Sequence, residues 1–280
     1  MKNPLLLCAL IAMSFQQCTS PVQKQIGNIK KTTSSAERGP AIKMPWAKPE
    51  VILSRPQVPI LCYHRLRDYR TTDGAGARTY IVPAPVFRKQ VKMLADSGYH
   101  SITPDQYYAY LTLGTPLPEK PVMISFDDTS VEQFTVGADE LDKYGFKGVF
   151  FIMTISIGRP GYMSSEQLKS LSDKGHIIAS HTTDHHNVKK YTGEDWDFQL
   201  VKPKNKLESI IGKPVEYFAY PFGEWNEAAI PELKKRKYKA AFQLSSNKRD
   251  SIEPLYAIRR MIVPGNWDGS AMDKWMKVNF

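Results

Sequence analysis

Short apolar runs alternate with amphipathic segments along most of the chain after residue 51. The apolar runs have the length of buried strands, and the segments between them have the 3.6-residue period of helices that pack on one face. Strands that alternate with helices normally form a parallel sheet with the helices outside it, so the pattern predicts an α/β fold. Periodicity does not distinguish a closed barrel from an open sheet. Strands are predicted at 58–63, 122–128, 148–152, 177–180, 217–220, 238–242 and 256–258, and helices at 84–96, 131–143, 202–211 and 226–237 and after the capping residues Thr103 and Ser164.

Two adjacent carboxylates, Asp127 and Asp128, stand at the end of the predicted strand 122–128. Burying one ionised carboxylate is costly and two side by side repel each other, so such a pair needs a metal ion, a cationic partner or a bound proton. Carboxylates at the C-terminal ends of strands in α/β proteins usually belong to a site. A strand end that runs into a turn or helix cap is the alternative, since aspartate favours both.

The sequence has six histidines, and three of them fall in the segment 181–186, directly after the predicted strand 177–180. His181 and His185 are four residues apart, a spacing that puts both imidazoles on one face of a helical turn. With one carboxylate they make a three-ligand site for zinc or a similar divalent ion, with positions open for water and substrate. His186 is an alternative to His185, because the sequence does not define the local turn.

The aromatic strand at 217–220 runs into Pro221 and then Gly223, so the chain turns sharply where this strand ends. A backbone N–H exposed at such a turn, that of Phe222 for example, can act as an oxyanion donor. Alone, this segment is a weak signal.

In this order the three segments resemble the motifs of the polysaccharide deacetylases of the NodB-homology group, carbohydrate esterase family 4. Ser125-Phe126-Asp127-Asp128 is similar to the family motif (T/S)FDD, and His181-Thr182-Thr183-Asp184-His185 is similar to H(S/T)xxH. Ala219-Tyr220-Pro221-Phe222-Gly223 is similar to RxP(Y/F)G, except that Ala219 replaces the arginine. The resemblance covers roughly residues 55 to 280. It implies a single catalytic domain folded as a distorted (β/α) barrel, with the site at the C-terminal ends of the strands.

The resemblance also implies roles for the residues of the first two motifs. Asp127 would be the general base. Asp128, His181 and His185 would hold a divalent metal ion, zinc being the expected one.

The third motif and a segment near the start of the domain complete the expected site. By resemblance, the backbone N–H of Phe222 helps to hold the oxyanion, and Tyr220 and Pro221 contact the substrate. The segment 62–65, Cys-Tyr-His-Arg, looks like the start of the branch that includes biofilm poly-N-acetylglucosamine deacetylases, in which the motif order is circularly permuted. In that branch this histidine replaces a C-terminal catalytic histidine, so His64 is the candidate general acid. A histidine just past a strand end can also be structural.

Ala219 is the main departure from the family pattern. In the family, the arginine at this position pairs with the catalytic aspartate and tunes it, so its loss would raise the pKa of Asp127 or leave this base poorly oriented. Arg259 or Arg260, on a late strand, is expected to supply the cation instead, with Arg260 slightly favoured.

The N-terminal region resembles a secretory signal of the lipoprotein type over residues 1–18. Lys2 precedes an apolar run too short to span a bilayer, and Cys18 stands where such a signal is cleaved and its cysteine lipidated. Residues 19–50 are polar with little periodicity and are interpreted as a flexible tether, so the deacetylase domain is assigned to 51–280. We expect export across the inner membrane, followed by lipid anchoring or a periplasmic or cell-envelope location.

The composition adds a strongly basic charge to this picture. The formal net charge is +10, with 42% hydrophobic and 24% charged residues, which is ordinary for a soluble globular protein apart from the charge. No nucleic-acid motif accompanies the basic residues, so solvated helix faces near an anionic envelope surface are favoured over nucleic-acid binding. Cys62, the one cysteine of the assigned domain, is interpreted as a core residue without a disulfide.

Together these observations predict a metal-dependent hydrolase that removes N-acetyl groups from a poly-N-acetylglucosamine or chitin-like chain in the cell envelope. The metal polarises the acetyl carbonyl and lowers the pKa of bound water, Asp127 takes the proton of that water, and His64 protonates the departing amine. Two alternatives are an inactive envelope lipoprotein that binds glycan, and a deacetylase that acts on peptidoglycan or acetylxylan.

Overall fold

The computed structural model describes residues 47–244 and 250–280, so the predictions for 1–18 and for most of 19–50 lie outside the described residues. The strands are β1 (Ile60–Tyr63), β2 (His100–Ser101), β3 (Pro121–Asp127), β4 (Gly148–Ile152), β5 (Ile177–Ser180), β6 (Tyr217–Ala219), β7 (Ala240–Leu244) and β8 (Ile258–Ile262). The α-helices are α1 (Pro49–Ser54), α2 (Ala75–Arg78), α3 (Ala84–Asp96), α4 (Pro104–Leu113), α5 (Asp139–Lys143), α6 (Ser165–Asp173), α7 (Lys202–Ile211), α8 (Ala229–Lys235) and α9 (Gly269–Asn279).

Seven of these strands form a closed parallel barrel in the order β1-β8-β7-β6-β5-β4-β3, and β3 pairs back with β1. The closing register pairs Ile60 with Met123 and Tyr63 with Phe126. The short strand β2 pairs with β3 outside the ring. The predicted distorted (β/α) barrel with a single domain is therefore confirmed for the described part of the chain. Because the seven strands are parallel, their C-terminal ends all lie at the same end of the barrel.

Alternation along each strand separates two apolar layers. One layer fills the barrel: Ile60, Met123, Val149, Phe151, Ala179, Tyr217, Ala219, Ala240, Phe242 and Ile258. The other layer packs between the barrel and the helices, where Leu61, Ile124 and Phe150 join one buried cluster with helix residues. Because the seven barrel strands are buried on both faces along most of their length, they appear in the sequence as largely continuous apolar runs rather than alternating ones.

Local sequence signals set several helix boundaries. Helix α3 has the predicted bounds and buries Phe87, Val91 and Leu94. The predicted capping residues Thr103 and Ser164 both form capping boxes, in which the hydroxyl accepts from a backbone N–H three residues on and a glutamine side chain returns the bond. The predicted helix at 131–143 is π-helical at Gln133–Ala138 before it continues as α5.

The described chain begins just before helix α1. This helix starts ahead of the predicted domain boundary at residue 51 and buries Ile52 in the cluster that fills the barrel. None of the helices in the described ranges is long and apolar enough to cross a membrane.

His176, at the entrance of β5, makes stability depend on pH. Its side chain is buried, its Nδ1 accepts the Gly148 N–H at 3.0 Å, and its Nε2 lies 3.2 Å from Asp142 Oδ1. Burial lowers the pKa of His176 from 6.5 to about 4, against the opposing effect of the Asp142 carboxylate. The unfolded chain therefore takes up a proton first as the pH falls, so the free energy of unfolding decreases between about pH 6.5 and 4 and is unaffected by this group above that window.

The measurement is urea unfolding of wild type and His176→Asn at pH 7 and pH 5, because an asparagine amide oxygen can still accept the Gly148 N–H. The wild-type free energy of unfolding should fall by about 2 kcal/mol more than that of the variant over this interval, at about 1.4 kcal/mol per pH unit. Equal pH dependence in the two proteins would contradict the assignment of this titration to His176.

Candidate active site

The C-terminal ends of the strands and the loops that follow them enclose a cavity of about 400 Å³. Six of the residues predicted from the sequence line this cavity: His64, Asp127, Asp128, His181, His185 and Phe222. They come from the ends of β1, β3, β5 and β6, which lie far apart in the sequence. The barrel therefore brings the motif residues to one place.

Asp128, His181 and His185 form a compact group of three metal-ligand types. Asp128 Oδ1 lies 3.5 Å from the Nε2 atoms of both histidines, and the three candidate ligand atoms lie within 4.8 Å of one another. His186 is not part of this group and stacks on Tyr191 with ring centroids 5.9 Å apart. His185 rather than His186 therefore faces Asp128.

The predicted helical turn between the two histidines is wrong. Residues 181–185 form an irregular loop, in which Thr182 and His185 have φ values of 69° and 66°. The two rings still meet, with centroids 4.9 Å apart. The loop is held by the Thr182 hydroxyl, which accepts the His185 N–H at 2.9 Å, so a local side-chain bond takes the place of the helical turn.

The geometry of the group fits a divalent cation. The backbone carbonyl of Ala219 holds His181 Nδ1 at 2.8 Å, which leaves Nε2 directed at Asp128. Asp128 Oδ1 is buried and has no hydrogen-bond partner among the described residues. A buried carboxylate oxygen without a donor is costly, and a cation between it and the two imidazoles would satisfy it.

The ionisation states agree with this fit. Burial lowers the pKa of His185 to about 4, with His181 adding to the effect, so its imidazole is neutral at pH 7 as a metal ligand must be. Burial alone would lower the pKa of His181, but the carboxylates of Asp127 and Asp128 raise it above its ordinary value. The same two carboxylates would attract a cation to the site.

Backbone strain is concentrated beside these ligands. Asp128 and Thr129 have φ values of 75° and 68°, a region that β-branched residues rarely adopt. Thr129 is fully buried, and its hydroxyl accepts the Met153 N–H at 2.8 Å. This bond fixes the turn that presents Asp128, which is consistent with strain being retained where a side chain must be aimed.

Asp127 is held by a buried arginine. Arg260 Nη1 and Nη2 donate to Oδ1 and Oδ2 at 2.6 and 2.8 Å, and both side chains are at most 1% exposed. Burial would raise the pKa of Asp127, but the guanidinium outweighs it and holds the pKa well below its usual range. Arg259 instead donates to the carbonyl of Asn279 and stacks on Phe280, because neighbouring residues of β8 point to opposite faces. The cation beside Asp127 is thus Arg260, as the sequence slightly favoured.

His64 follows β1 and is 7% exposed. Its carbonyl accepts from Ser130 Oγ at 3.1 Å and from Gln133 Nε2 at 2.8 Å, and its ring lies edge-on to Tyr80 at 4.9 Å between centroids. Burial lowers the pKa of His64 in spite of the nearby carboxylates. The residue is therefore a fixed, neutral imidazole at the cavity wall.

The third motif contributes one side chain to the cavity. Phe222 is 58% exposed, has a φ of 61°, and packs its ring against His185 at 4.4 Å between centroids. Tyr220 and Pro221 are buried and do not line the cavity, so the predicted substrate contact by these two is not supported. Tyr220 donates its hydroxyl to the carbonyl of Tyr256 at 3.0 Å, because it points away from the barrel interior.

The sequence reasoning missed six cavity residues, three of which are cationic or aromatic. Arg65, Arg67 and Tyr80 line the same cavity. Arg65 is paired with Glu132 at 2.9 Å, and Arg67 is paired with both oxygens of Asp73 at 2.8 and 2.9 Å. The position of Arg65 beside His64 was a usable signal, whereas nothing in the sequence distinguishes Tyr80 from any other exposed aromatic residue.

A sequence model of one family, described as polysaccharide deacetylase, matches residues 114–241. The matched range contains the carboxylate pair, the two histidines and the turn at Phe222 that line the cavity described above. This part of the chain is therefore similar to polysaccharide deacetylases. The resemblance seen in the three motifs is thereby confirmed, and His64 and Arg260 lie outside the matched range.

Individual relatives cover more of the chain than the family model does. YxkH of Bacillus subtilis (strain 168) is 28% identical over 221 residues, which are 79% of this chain and 76% of that protein. The poly-beta-1,6-N-acetyl-D-glucosamine N-deacetylase of Staphylococcus aureus (strain MRSA252) is 25% identical over 239 residues, covering 75% of this chain and 82% of its own. The structure of Streptococcus pyogenes deacetylase PplD in complex with acetate is similar in fold, with a TM-score of 0.72, 22% identity, and coverage of 79% of this chain and 98% of that one.

Proposed function

We propose that this protein is a metal-dependent amidase that removes N-acetyl groups from a poly-N-acetylglucosamine or chitin-like polysaccharide in the cell envelope. The observation that carries the proposal is the buried Asp128 Oδ1, which has no hydrogen-bond donor in the part of the chain that the structure describes and lies 3.5 Å from two imidazole Nε2 atoms. Asp128, His181 and His185 would hold the ion, for which zinc suits a donor set of two nitrogens and one oxygen. When bound, such an ion polarises a carbonyl and lowers the pKa of a coordinated water.

The remaining residues supply acid–base chemistry. Asp127 is kept ionised at neutral pH by Arg260 and is therefore able to accept the proton of an attacking water. His64 stands in the same cavity; after its neutral ring has taken up a proton from solvent, the imidazolium would donate that proton to the amine as the C–N bond breaks. The backbone at Phe222, beside His185, is the candidate donor to the oxyanion. The products are acetate and a glucosamine unit.

The proposed substrate is supported by the name of one relative and by the residues at the rim of the cavity. One relative is named for poly-beta-1,6-N-acetyl-D-glucosamine. Phe222 and Tyr80 are 58% and 42% exposed and both line the cavity, which gives a sugar ring apolar surface to pack on. The net charge of +10 favours association with an anionic envelope rather than any particular sugar.

The proposed location rests on the N-terminal sequence. Residues 1–18 have the pattern of a lipoprotein signal, and Cys18 is the residue that would carry the lipid. The protein should therefore sediment with membranes after export, and Cys18→Ala should move it to the soluble fraction. Equal distribution of the two proteins between membrane and soluble fractions would contradict lipid anchoring.

The test of the function is acetate release from β-1,6-linked N-acetylglucosamine oligomers and from chitin oligomers. Wild type would be assayed as purified, after chelation, and after reloading with Zn²⁺, with bound metal measured each time. Acetate release should require metal. His181→Ala should lose both the metal and the activity, while His186→Ala is the matched control and should keep both, because His186 lies outside the ligand group.

Other outcomes distinguish the alternatives. One such outcome is a metal-loaded protein that releases no acetate from either oligomer but releases it from acetylxylan or peptidoglycan. That result would support the proposed reaction and contradict the proposed substrate. Binding of glycan without bound metal, and without acetate release from any substrate, would support the inactive glycan-binding lipoprotein instead.

A further inference from the structure

A second group of potential ligand atoms lies next to the ion pair of Asp127 and Arg260. It consists of Cys62, His64 and Asp127, each offering one ligand-type atom within 4.8 Å of the others. All three residues are buried. Cys62 belongs to the strand that carries His64 and has no part in the chemistry proposed above.

The thiol faces the imidazole because of strand geometry. Cys62 and His64 are two residues apart at the end of β1, so their side chains point to the same face. The Cys62 Sγ lies 4.0 Å from His64 Nδ1. With Nδ1 turned to the thiol, Nε2 is the ring nitrogen left for the cavity that His64 lines.

This group does not suit a second metal ion. Both oxygens of Asp127 are already engaged by Arg260, at 2.6 and 2.8 Å, and the buried guanidinium repels a cation placed beside it. Burial raises the pKa of the Cys62 thiol, so the sulfur stays protonated rather than becoming the thiolate that a metal requires. Cys62 can therefore act as a neutral hydrogen-bonding partner of His64.

Among the described residues, no other side chain forms a hydrogen bond with the His64 ring. A histidine that transfers protons is normally oriented through its second ring nitrogen by a carboxylate or a carbonyl. Within residues 47–244 and 250–280, His64 forms no ion pair with a carboxylate at 4.0 Å or less. Tyr80 packs on the ring without contributing a bond to Nδ1, which leaves the thiol in the place of the usual orienting group.

We propose that Cys62 is a positioning residue that acts through His64. Its neutral thiol holds the imidazole in one rotamer and one tautomer, with Nε2 presented to the substrate amine. The inference rests on the proposed function only for the role of His64 as general acid. A cysteine that merely fills the core would instead be replaceable by any residue of similar volume.

The variants that test this are Cys62→Ser, Cys62→Ala and Cys62→Val. Serine keeps a hydroxyl donor and acceptor, whereas valine fills the volume without one. For alanine and valine we expect kcat to fall about tenfold, a part of the 10²–10⁴-fold contribution of a general acid, with KM and bound metal unchanged. Serine should restore most of kcat. In a His64→Ala background, Cys62→Ala should cause no further loss.

A spectroscopic readout separates this inference from the proposed function. Long-range ¹H–¹⁵N spectra of the zinc-loaded protein, with His64 assigned through His64→Ala, should show one neutral tautomer in wild type and in Cys62→Ser, and a mixture in Cys62→Val. If wild type releases no acetate, the proposed function fails, and the spectra alone decide the inference. Wild-type kcat and an unchanged His64 tautomer in Cys62→Val would overturn it, as would an equal loss of kcat from Cys62→Ala in the His64→Ala background.

Discussion

Asp127→Asn should lower acetate release about 10²–10⁴-fold while the metal stays bound. An asparagine amide has nearly the shape of the carboxylate but cannot accept the proton of the attacking water. Asp127 is not a member of the candidate ligand group, whose carboxylate is Asp128. Turnover should therefore fall in this variant while the metal content stays at the wild-type level.

Asp128→Asn is the matched control for Asp127→Asn. The two residues are adjacent in the sequence, but the neighbouring change should lower metal content and acetate release together. Metal analysis and acetate release on the same preparations give both quantities. If Asp127→Asn keeps wild-type turnover, Asp127 is not the base. If it loses its metal, the division of roles between the two aspartates is wrong.

Arg260→Ala should lower the free energy of unfolding by about 3–5 kcal/mol, because it leaves the carboxylate of Asp127 buried without its cation. Asp127 is 1% exposed and Arg260 is fully buried, so water would compensate the carboxylate poorly after the loss of its partner. Turnover should fall more than metal content, because the base loses its orientation while the ligands keep theirs. Urea unfolding, acetate release and metal analysis measure the three effects.

Arg259→Ala is the internal control for Arg260→Ala. Arg259 directs its guanidinium to Asn279 and the ring of Phe280, away from the cavity. Its removal should leave turnover unchanged. Arg260→Lys keeps a positive charge but loses the two parallel hydrogen bonds, so its turnover should lie between wild type and Arg260→Ala. Equal turnover in wild type and Arg260→Ala would exclude a role for the pair in catalysis.

The same pair gives a direction for the pH profile. Arg260 is the main group that holds the pKa of Asp127 below its ordinary value, and without it the effect of burial, which raises that pKa, is opposed by His181 and His64 alone. Since the base works only when ionised, the acidic limb of the rate profile should move to higher pH in Arg260→Ala. The stabilisation from the pair is fully present above the ordinary carboxyl pKa of about 3.9 and is lost as the pH falls below it.

The local features of this protein follow from its sequence. Apolar runs of strand length alternate with amphipathic segments, which is enough to predict an α/β fold, and α3, β4, β5 and α7 have the bounds that their patterns indicate. The capping boxes at Thr103 and Ser164 are also short-range signals. Each depends on residues within one turn or one strand, which is why a single sequence is sufficient to predict them.

The chemical types of the site residues were predictable for a related reason. A carboxylate pair at a strand end and histidines after another strand end must meet at one edge of a parallel sheet. The sequence could not decide between His185 and His186, since a bond from the Thr182 hydroxyl, rather than helical spacing, sets the loop. It also assigned Tyr220 to the substrate, although alternation along β6 directs that ring outward to Tyr256.

Only the tertiary structure decided which residue neutralises the buried carboxylate of Asp127. Arg260 reaches Asp127 from 133 residues further along the chain, in place of the arginine that the family pattern has at Ala219. The thiol of Cys62 meets His64, and the barrel closes through the pairing of β1 with β3. These contacts depend on which strands are neighbours and which faces point inward. The pattern of apolar residues along a strand reveals neither the neighbouring strands nor the inward face, because the barrel strands are buried on both sides.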